Sequence, residues 1–298
     1  MWRLDPQLLM LGDLGPGTFP FWNESEGIGS AQHAILLTRN GGRDWRIARR
    51  THREVTLVAV AGSRAAWAVV GLGNRARLLA SSDGGRRWSL RSRRPLSGLT
   101  FGNRSDGWAL TDNPLGGSDS LLRSTDGGRS WSWVPNPCRR VGLRPVAVDR
   151  ATRMRGWIVC FNQPASDDGA IFETRDAGRR WRLGAFGTYI HGKWRERGGF
   201  GGGDPAGLAM SPNGSGFLWQ GGHGGAALLR TADGGRRWKV VTGFVPDQDF
   251  GLSGAMFSSV GGFFLAWRTN EPTNFSELLR TTDAGRHWTT VRRWKPKP

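Results

Sequence analysis

Thr231-Ala232-Asp233-Gly234-Gly235-Arg236-Arg237-Trp238 decides the reading of this chain, because five variants of it stand elsewhere in the sequence. They are Thr38–Trp45, Ser81–Trp88, Ser124–Trp131, Thr174–Trp181 and Thr281–Trp288. All fit the pattern Ser/Thr-x-Asp/Asn-Gly/Ala-Gly-Arg-x-Trp. Successive copies begin 43, 43, 50, 57 and 50 residues apart.

Outward from each copy the rest of the unit repeats as well. Before Ser81 come the apolar runs Thr56–Val60, Trp67–Val70 and Arg77–Ala80, with turn residues between them. After the motif, alternation as in Trp45-Arg46-Ile47 or Trp238-Lys239-Val240 makes a fourth short strand. A unit of four short strands with this period is the size of one propeller blade. The expected fold is all-β: a single β-propeller of four-stranded antiparallel blades. Six complete units fit residues 17–292. Residues 1–16 are a closing strand or a partial blade, because Trp2-Arg3-Leu4 resembles the strand after a motif Trp. Residues 293–298 form a basic tail. Six blades are expected, with seven as the alternative.

The motif has a turn-forming logic. Hydroxyl and carboxylate side chains at turn positions bond nearby backbone N–H groups. Gly adopts a positive φ without steric cost. The Trp buries a large ring against its own and the neighbouring blade. Asn40 in the first copy accepts a bond but carries no charge. Asn40, Asp83, Asp126, Asp176, Asp233 and Asp283 are therefore assigned to structure and not to catalysis. Trp45, Trp88, Trp131, Trp181, Trp238 and Trp288 are the packing residues.

The formal charge is +18 and the isoelectric point about 11.6. Such a balance favours an acidic partner: nucleic acid, anionic polysaccharide, anionic lipid or an acidic protein surface. The only lysines are Lys193, Lys239, Lys295 and Lys297, so Arg carries nearly all of the charge. A GC-rich bacterial genome gives that bias without a functional demand. Blade symmetry places Arg43, Arg86, Arg129, Arg179, Arg236 and Arg286 around one rim, thickened by Arg87, Arg180 and Arg237. This set reads either as a solvated rim or as a clamp for carboxylates or phosphates. No sequence-specific nucleic-acid module is present, so the expected partner is a protein or an anionic polymer.

Other chemistry finds little support. His33, His52, His191, His223 and His287 lack metal-ligand spacing, and no metal or cofactor is expected. The glycine-rich stretches at 198–203 and 221–225 lead into no helix with Lys-Ser/Thr, so they are not phosphate loops. No run of about 18 apolar residues occurs to span a membrane. The start, MWRLDPQLLMLGDLGPG, is not a signal peptide as written. Asn23, Asn103, Asn213 and Asn274 stand in chance Asn-x-Ser sequons. Cys138 and Cys160 form no C-x-x-C pair, and a bond between them would indicate an oxidising compartment.

The motif copies, with Gly-Gly-Arg-x-Trp and the Gly-Trp opening of second strands, resemble the Asp-box (BNR) repeat. That repeat is found in sialidases, sortilin-type receptors, xyloglucan-degrading propellers and photosystem II assembly factors of the Ycf48 type. The resemblance runs from about Gly17 to Arg292 and is closest in style to Ycf48-like and secreted bacterial members. It implies the propeller fold. Pro135-Asn136-Pro137-Cys138 with Gly156-Trp157-Ile158-Val159-Cys160 resembles a Cys-paired blade of exported members, which implies a Cys138–Cys160 disulfide and an exported, periplasmic or extracellular protein. A sialidase-like glycoside hydrolase would need a Tyr nucleophile, a Glu partner and three Arg. The one Tyr, Tyr189, lies in what reads as a loop with Glu196, with Glu173 as a further partner. The family's Arg-Ile-Pro signature is absent. A xyloglucanase-like enzyme would need two placed carboxylates, and none of Asp106, Asp149, Asp204 or Asp249 stands out. The leading expectation is a non-catalytic binding or assembly propeller acting through its Arg-rich surface. The alternative is a glycoside hydrolase at the channel mouth near Tyr189.

Overall fold

Short apolar runs separated by turn residues fold here into six sheets arranged as blades of a ring. The structure is a computed structural model, and it describes residues 19–112, 118–162, 168–190, 193–200, 204–221, 227–241, 250–256, 258–268 and 275–294. The first blade contains β1 (Gly27–Ala31), β2 (Ala34–Thr38) and β3 (Arg46–Arg50). The second contains β4 (Val55–Ala61), β5 (Ala65–Val70), β6 (Arg77–Ser81) and β7 (Ser89–Ser92). The third contains β8 (Gly98–Phe101), β9 (Gly107–Asp112), β10 (Ser118–Ser124) and β11 (Ser132–Trp133). The fourth has five strands: β12 (Arg144–Asp149), β13 (Gly156–Phe161), β14 (Gly169–Thr174), β15 (Arg182–Ile190) and β16 (Lys193–Arg197). The fifth contains β17 (Asp204–Met210), β18 (Gly216–Gly221), β19 (Ala227–Thr231) and β20 (Lys239–Val240). The sixth contains β21 (Phe250–Met256), β22 (Gly262–Arg268), β23 (Phe275–Thr281) and β24 (Thr289–Trp294).

Neighbouring strands pair antiparallel in sequence order, so each blade is a meander. The inner strands β4, β8, β12, β17 and β21 pack one against the next. In the first blade Phe21 bridges Gly27, and the Ile28 N–H donates to Pro20 O at 3.0 Å, so residues 19–21 hold the inner position. The ring closes between the sixth and first blades. There the Phe21 and Phe263 rings stack with centroids 3.8 Å apart. The result is the six-bladed propeller expected from the repeat, and not the seven-bladed alternative. The expected closing segment at 1–16 lies outside the described residues, and β24 runs on to a buried Trp294.

Blades packed face to face bury both sides of their middle strands. Every residue of β5 and of β13 is buried, while the outer strands β11 and β20 are exposed. This explains why the second strands read as continuous apolar runs and the fourth strands do not. The core is divided among the junctions. Ile28, Ile35, Val58 and Ala68 join the first and second blades, and Trp157, Ile171, Leu218 and Trp238 join the fourth and fifth.

Candidate binding face

The repeated motif builds one side of the ring. In the second blade the Ser81 hydroxyl donates to Asp83 Oδ1 at 2.8 Å and accepts from the Gly85 N–H at 2.9 Å. Asp83 Oδ1 also accepts the N–H groups of Arg86 and Arg87, both at 3.0 Å. Trp88 Nε1 donates to Gly85 O at 2.9 Å. Gly85 has φ +78°, and a Cβ there would meet Leu37 of the preceding blade at 2.9 Å. Glycine is required both by the backbone and by the close approach. In the first copy Asn40 Oδ1 accepts the Asp44 N–H at 2.9 Å, so the turn needs an oxygen and not a charge.

A second tie recurs in all six copies. The N–H of the fourth motif residue donates to a carbonyl in the first turn of the same blade. The pairs are Gly41 to Ser25, Gly84 to Arg64, Gly127 to Ser105, Ala177 to Met154, Gly234 to Gly214 and Ala284 to Val260, at 2.7–2.9 Å. In a meander these two turns lie at the same end of the sheet, so all six motifs sit on one face of the ring.

Asp83, Asp126, Asp176 and Asp283 are held ionised. The Arg87 N–H keeps Asp83 below the ordinary carboxylate range, and the Arg180 N–H does the same for Asp176. Partial burial opposes this for Asp126, yet the Ser130 hydroxyl and N–H and the Ser124 hydroxyl bring it down to about 2. The His287 N–H and ring lower Asp283 further. A carboxylate locked in its charged form by backbone donors is a turn clamp and not a proton shuttle.

All nine motif arginines named above are exposed on this face. Arg64, Arg104 and Arg153, on the first turns of blades two to four, are exposed beside them. Acidic side chains gather at the first blade instead. Glu24 pairs with Arg280 at 2.6 Å, and Asp44 pairs with Arg292 at 3.2 Å. The face is therefore basic over blades two to five and mixed at the closure.

Beneath the basic sector lie charged residues that no repeat announces. Arg150 is fully buried, 3.5 Å from Asp106 and 4.7 Å from the centre of the Trp108 ring. Its guanidinium also donates to Gly107 O and to the carbonyls of Thr152 and Arg153. Burial lowers its pKa to about 10. Glu173 accepts Arg155 Nε at 2.8 Å and Arg175 Nε at 3.0 Å. Asp149 joins three blades: it accepts Thr100 Oγ1 at 3.0 Å, the Arg150 N–H at 2.8 Å and the Met210 N–H at 2.5 Å. Dense packing around its carboxyl group pushes the pKa up to about 6. These residues occur once each, so periodicity could not find them. For Asp149 and Arg150 the only sequence signal was a charge at the end of an inner strand.

Cys138 and Cys160 are bonded, and both are buried. The bridge ties the connection between blades three and four to β13. Nearby, Trp181 breaks the motif pattern, with Nε1 donating to Pro135 O at 3.0 Å in place of its own glycine.

The Tyr189 segment is not a loop. β15 runs through Ile190, and β16 adds a fifth strand to its outer edge with Tyr189 opposite Trp194 and Gly187 opposite Glu196. Register thus brings Tyr189 and Glu196 within one diagonal step, on the outer strands and away from the inner strands that line the ring's axis. Glu173 is opposite Arg182, seven residues before Tyr189, so the two lie roughly 20 Å apart along the strand. His191, His223 and Asp249 fall outside the described residues, as does much of each glycine-rich stretch. Among the described residues no group of three or more metal-ligating side chains converges, and no helix is long and apolar enough to cross a membrane.

No protein-family model and no curated protein matches the sequence. Among solved structures, a GH74 enzyme of Niastella koreensis superposes with TM-score 0.60 at 13% identity, over 93% of this chain and 46% of that one. A chain of the nidogen/laminin complex superposes with TM-score 0.60 at 12% identity, over 91% of this chain and 93% of that one. Ycf48 bound to a D1 peptide gives TM-score 0.48 at 16% identity, over 93% of this chain and 85% of that one, too loose a fit to argue from. This chain spans less than half of the GH74 enzyme. At such identities the likeness is one of fold: what the chain shares with these proteins is the β-propeller.

Proposed function

We propose that this chain is a non-catalytic propeller that binds an acidic protein partner through its motif face, as a scaffold or assembly factor does. One observation carries the reading. Nine motif arginines are exposed on one face, while the motif carboxylates beside them are engaged by backbone N–H groups. Guanidinium groups so presented bind carboxylates bidentately. Each exposed charge pair contributes little, up to ~1 kcal/mol, so the face discriminates only when a partner matches several at once. The Cys138–Cys160 bond supports export to an oxidising compartment, in the periplasm or outside a bacterial cell.

The test is binding of a fluorescent Glu/Asp-rich 20-residue peptide to the full chain and to a variant with Arg179, Arg180, Arg236 and Arg237 all changed to Gln. Affinity should fall by about tenfold or more in the variant, and the wild-type affinity should weaken as salt rises. Equal affinity of the two proteins would defeat the reading. The register of Tyr189 and Glu196 favours one competitor, a sialidase-like glycoside hydrolase. A panel of fluorogenic glycosides that includes a sialoside decides it. No turnover is expected, and turnover that disappears in Tyr189→Phe would replace the binding reading.

A further inference from the structure

The residue two places after each motif Trp sits on the outer strand, where an apolar side chain is usual: Leu90, Leu183 and Val240 are all exposed there. In the third blade that residue is Trp133, with 63% of its surface bare. The exposed indole offers a flat apolar face and a polar N–H to a ligand. Trp133 forms a wall shared by two grooves. One, of about 550 Å³, is lined also by Arg93, Arg94 and Thr111. The other, of about 430 Å³, is lined also by Ser120, Asn136 and Arg139. The Arg94 guanidinium stands 5.9 Å from the centre of the Trp133 ring. Among the described side chains no Asp or Glu lines either groove.

We propose that Trp133 and its two flanking grooves bind an acidic polysaccharide, one built of uronic acid units. The flat face of a pyranose ring stacks on an indole. Uronate carboxylates meet the guanidinium forks of Arg93, Arg94 and Arg139. Thr111, Ser120 and Asn136 supply hydroxyl and amide partners for sugar hydroxyls. Grooves on both sides of one stacking residue let an extended chain cross it, with a sugar on the ring and its neighbours to either side. Single-stranded nucleic acid also combines stacking with phosphate contacts. The disulfide argues against it, because an oxidising compartment is where glycans, and not nucleic acids, are the abundant polyanions. Leu121, Val134 and Pro135 also line the second groove. This inference is independent of the motif-face reading, since Trp133 and its grooves lie on the outer edge, towards the opposite face.

Calorimetric titration of the full chain with hexagalacturonate tests it, beside a neutral galactose hexamer, hexathymidylate and hexaglutamate. Hexagalacturonate should bind at least about tenfold more tightly than the neutral hexamer and hexathymidylate, while any hexaglutamate binding, which the motif face can supply, should not change in Trp133→Ala. Trp133→Ala should weaken it by about tenfold, and Arg94→Gln by about threefold. Trp133→Phe should keep part of the affinity, and Arg236→Gln with Arg237→Gln should keep all of it. Because Trp133 is exposed, its variants should unfold at the wild-type temperature. The inference is overturned if hexagalacturonate does not bind, or if Trp133→Ala binds it as well as wild type. Tighter binding of hexathymidylate, hexaglutamate binding that is lost in Trp133→Ala, or loss of glycan binding in the Arg236/Arg237 variant overturns it equally.

Discussion

Between the third and fourth blades a buried guanidinium, a carboxylate and a disulfide join the sheets, whereas between the sixth and first the joint is stacked rings and exposed ion pairs. At the first joint Arg150 is enclosed against Asp106 and Trp108, and Cys138–Cys160 pins the connecting segment to β13. At the second, Phe21 stacks on Phe263, while Arg280–Glu24 and Arg292–Asp44 face water. The contrast reflects chain connectivity. Blades three and four are consecutive and can be stapled within 22 residues. Blades six and one are joined by contacts between residues more than 240 positions apart, such as Phe21 with Phe263, and no covalent staple spans them among the described residues.

The largest effect should come from Arg150→Ala. Asp106 keeps Asn103 Nδ2 at 3.0 Å and Arg123 at 3.5 Å, but the carbonyls of Gly107, Thr152 and Arg153 lose their donor and a fully buried side chain is emptied, which should cost about 3 kcal/mol. Denaturant unfolding should show that loss, and a loss below ~1 kcal/mol would mean that the joint between blades three and four does not depend on buried charge. Next comes the disulfide. Reduction, or Cys138→Ser with Cys160→Ser, should cost about 3 kcal/mol for a loop of this size. If the midpoint stays put in dithiothreitol, the bond is not what distinguishes the two joints.

Asp149 gives the same side of the ring a pH dependence. Its folded pKa of about 6 lies above the ordinary value of 3.8. A raised carboxyl pKa means that the proton favours the folded state. That contribution is fully present below the ordinary value and is lost as pH rises through about 6. Wild type should therefore lose stability relative to Asp149→Asn between these two values, and parallel stability curves would refute the assignment. The smallest effect belongs to the closure. Glu24→Gln should cost under ~1 kcal/mol and nothing measurable in molar salt, as exposed pairs do. A larger, salt-resistant cost would erase the contrast between the joints.

How much was legible in the sequence follows from the range of each interaction. The motif turns are built from bonds between residues two to four apart, such as Ser81 with Asp83 and Gly85, so six copies announced six turns and the blades around them. Asn40 in place of Asp pointed to a turn-forming oxygen, and its Oδ1 accepts the Asp44 N–H. The Tyr189 segment misled because it lies in the longest stretch between motif copies, while pairing with β16 made it a strand. Trp133 was passed over because Trp131 two residues earlier takes the motif position, and exposure is not written in a Trp-Ser-Trp triplet.

The sequence by itself determined the repeat, the all-β blades, the turn chemistry and the side of the ring on which the motif arginines gather, because all of these are local and recur with a period. Only the tertiary structure decided that six blades close through Phe21 and Phe263, that Asp149 joins three inner strands and that Arg150 is shut away under a basic surface. Those contacts link residues tens to hundreds of positions apart and occur once each. A single long-range contact leaves no periodic trace in a sequence, and its partners are chosen only when packed blades bring them within bonding distance.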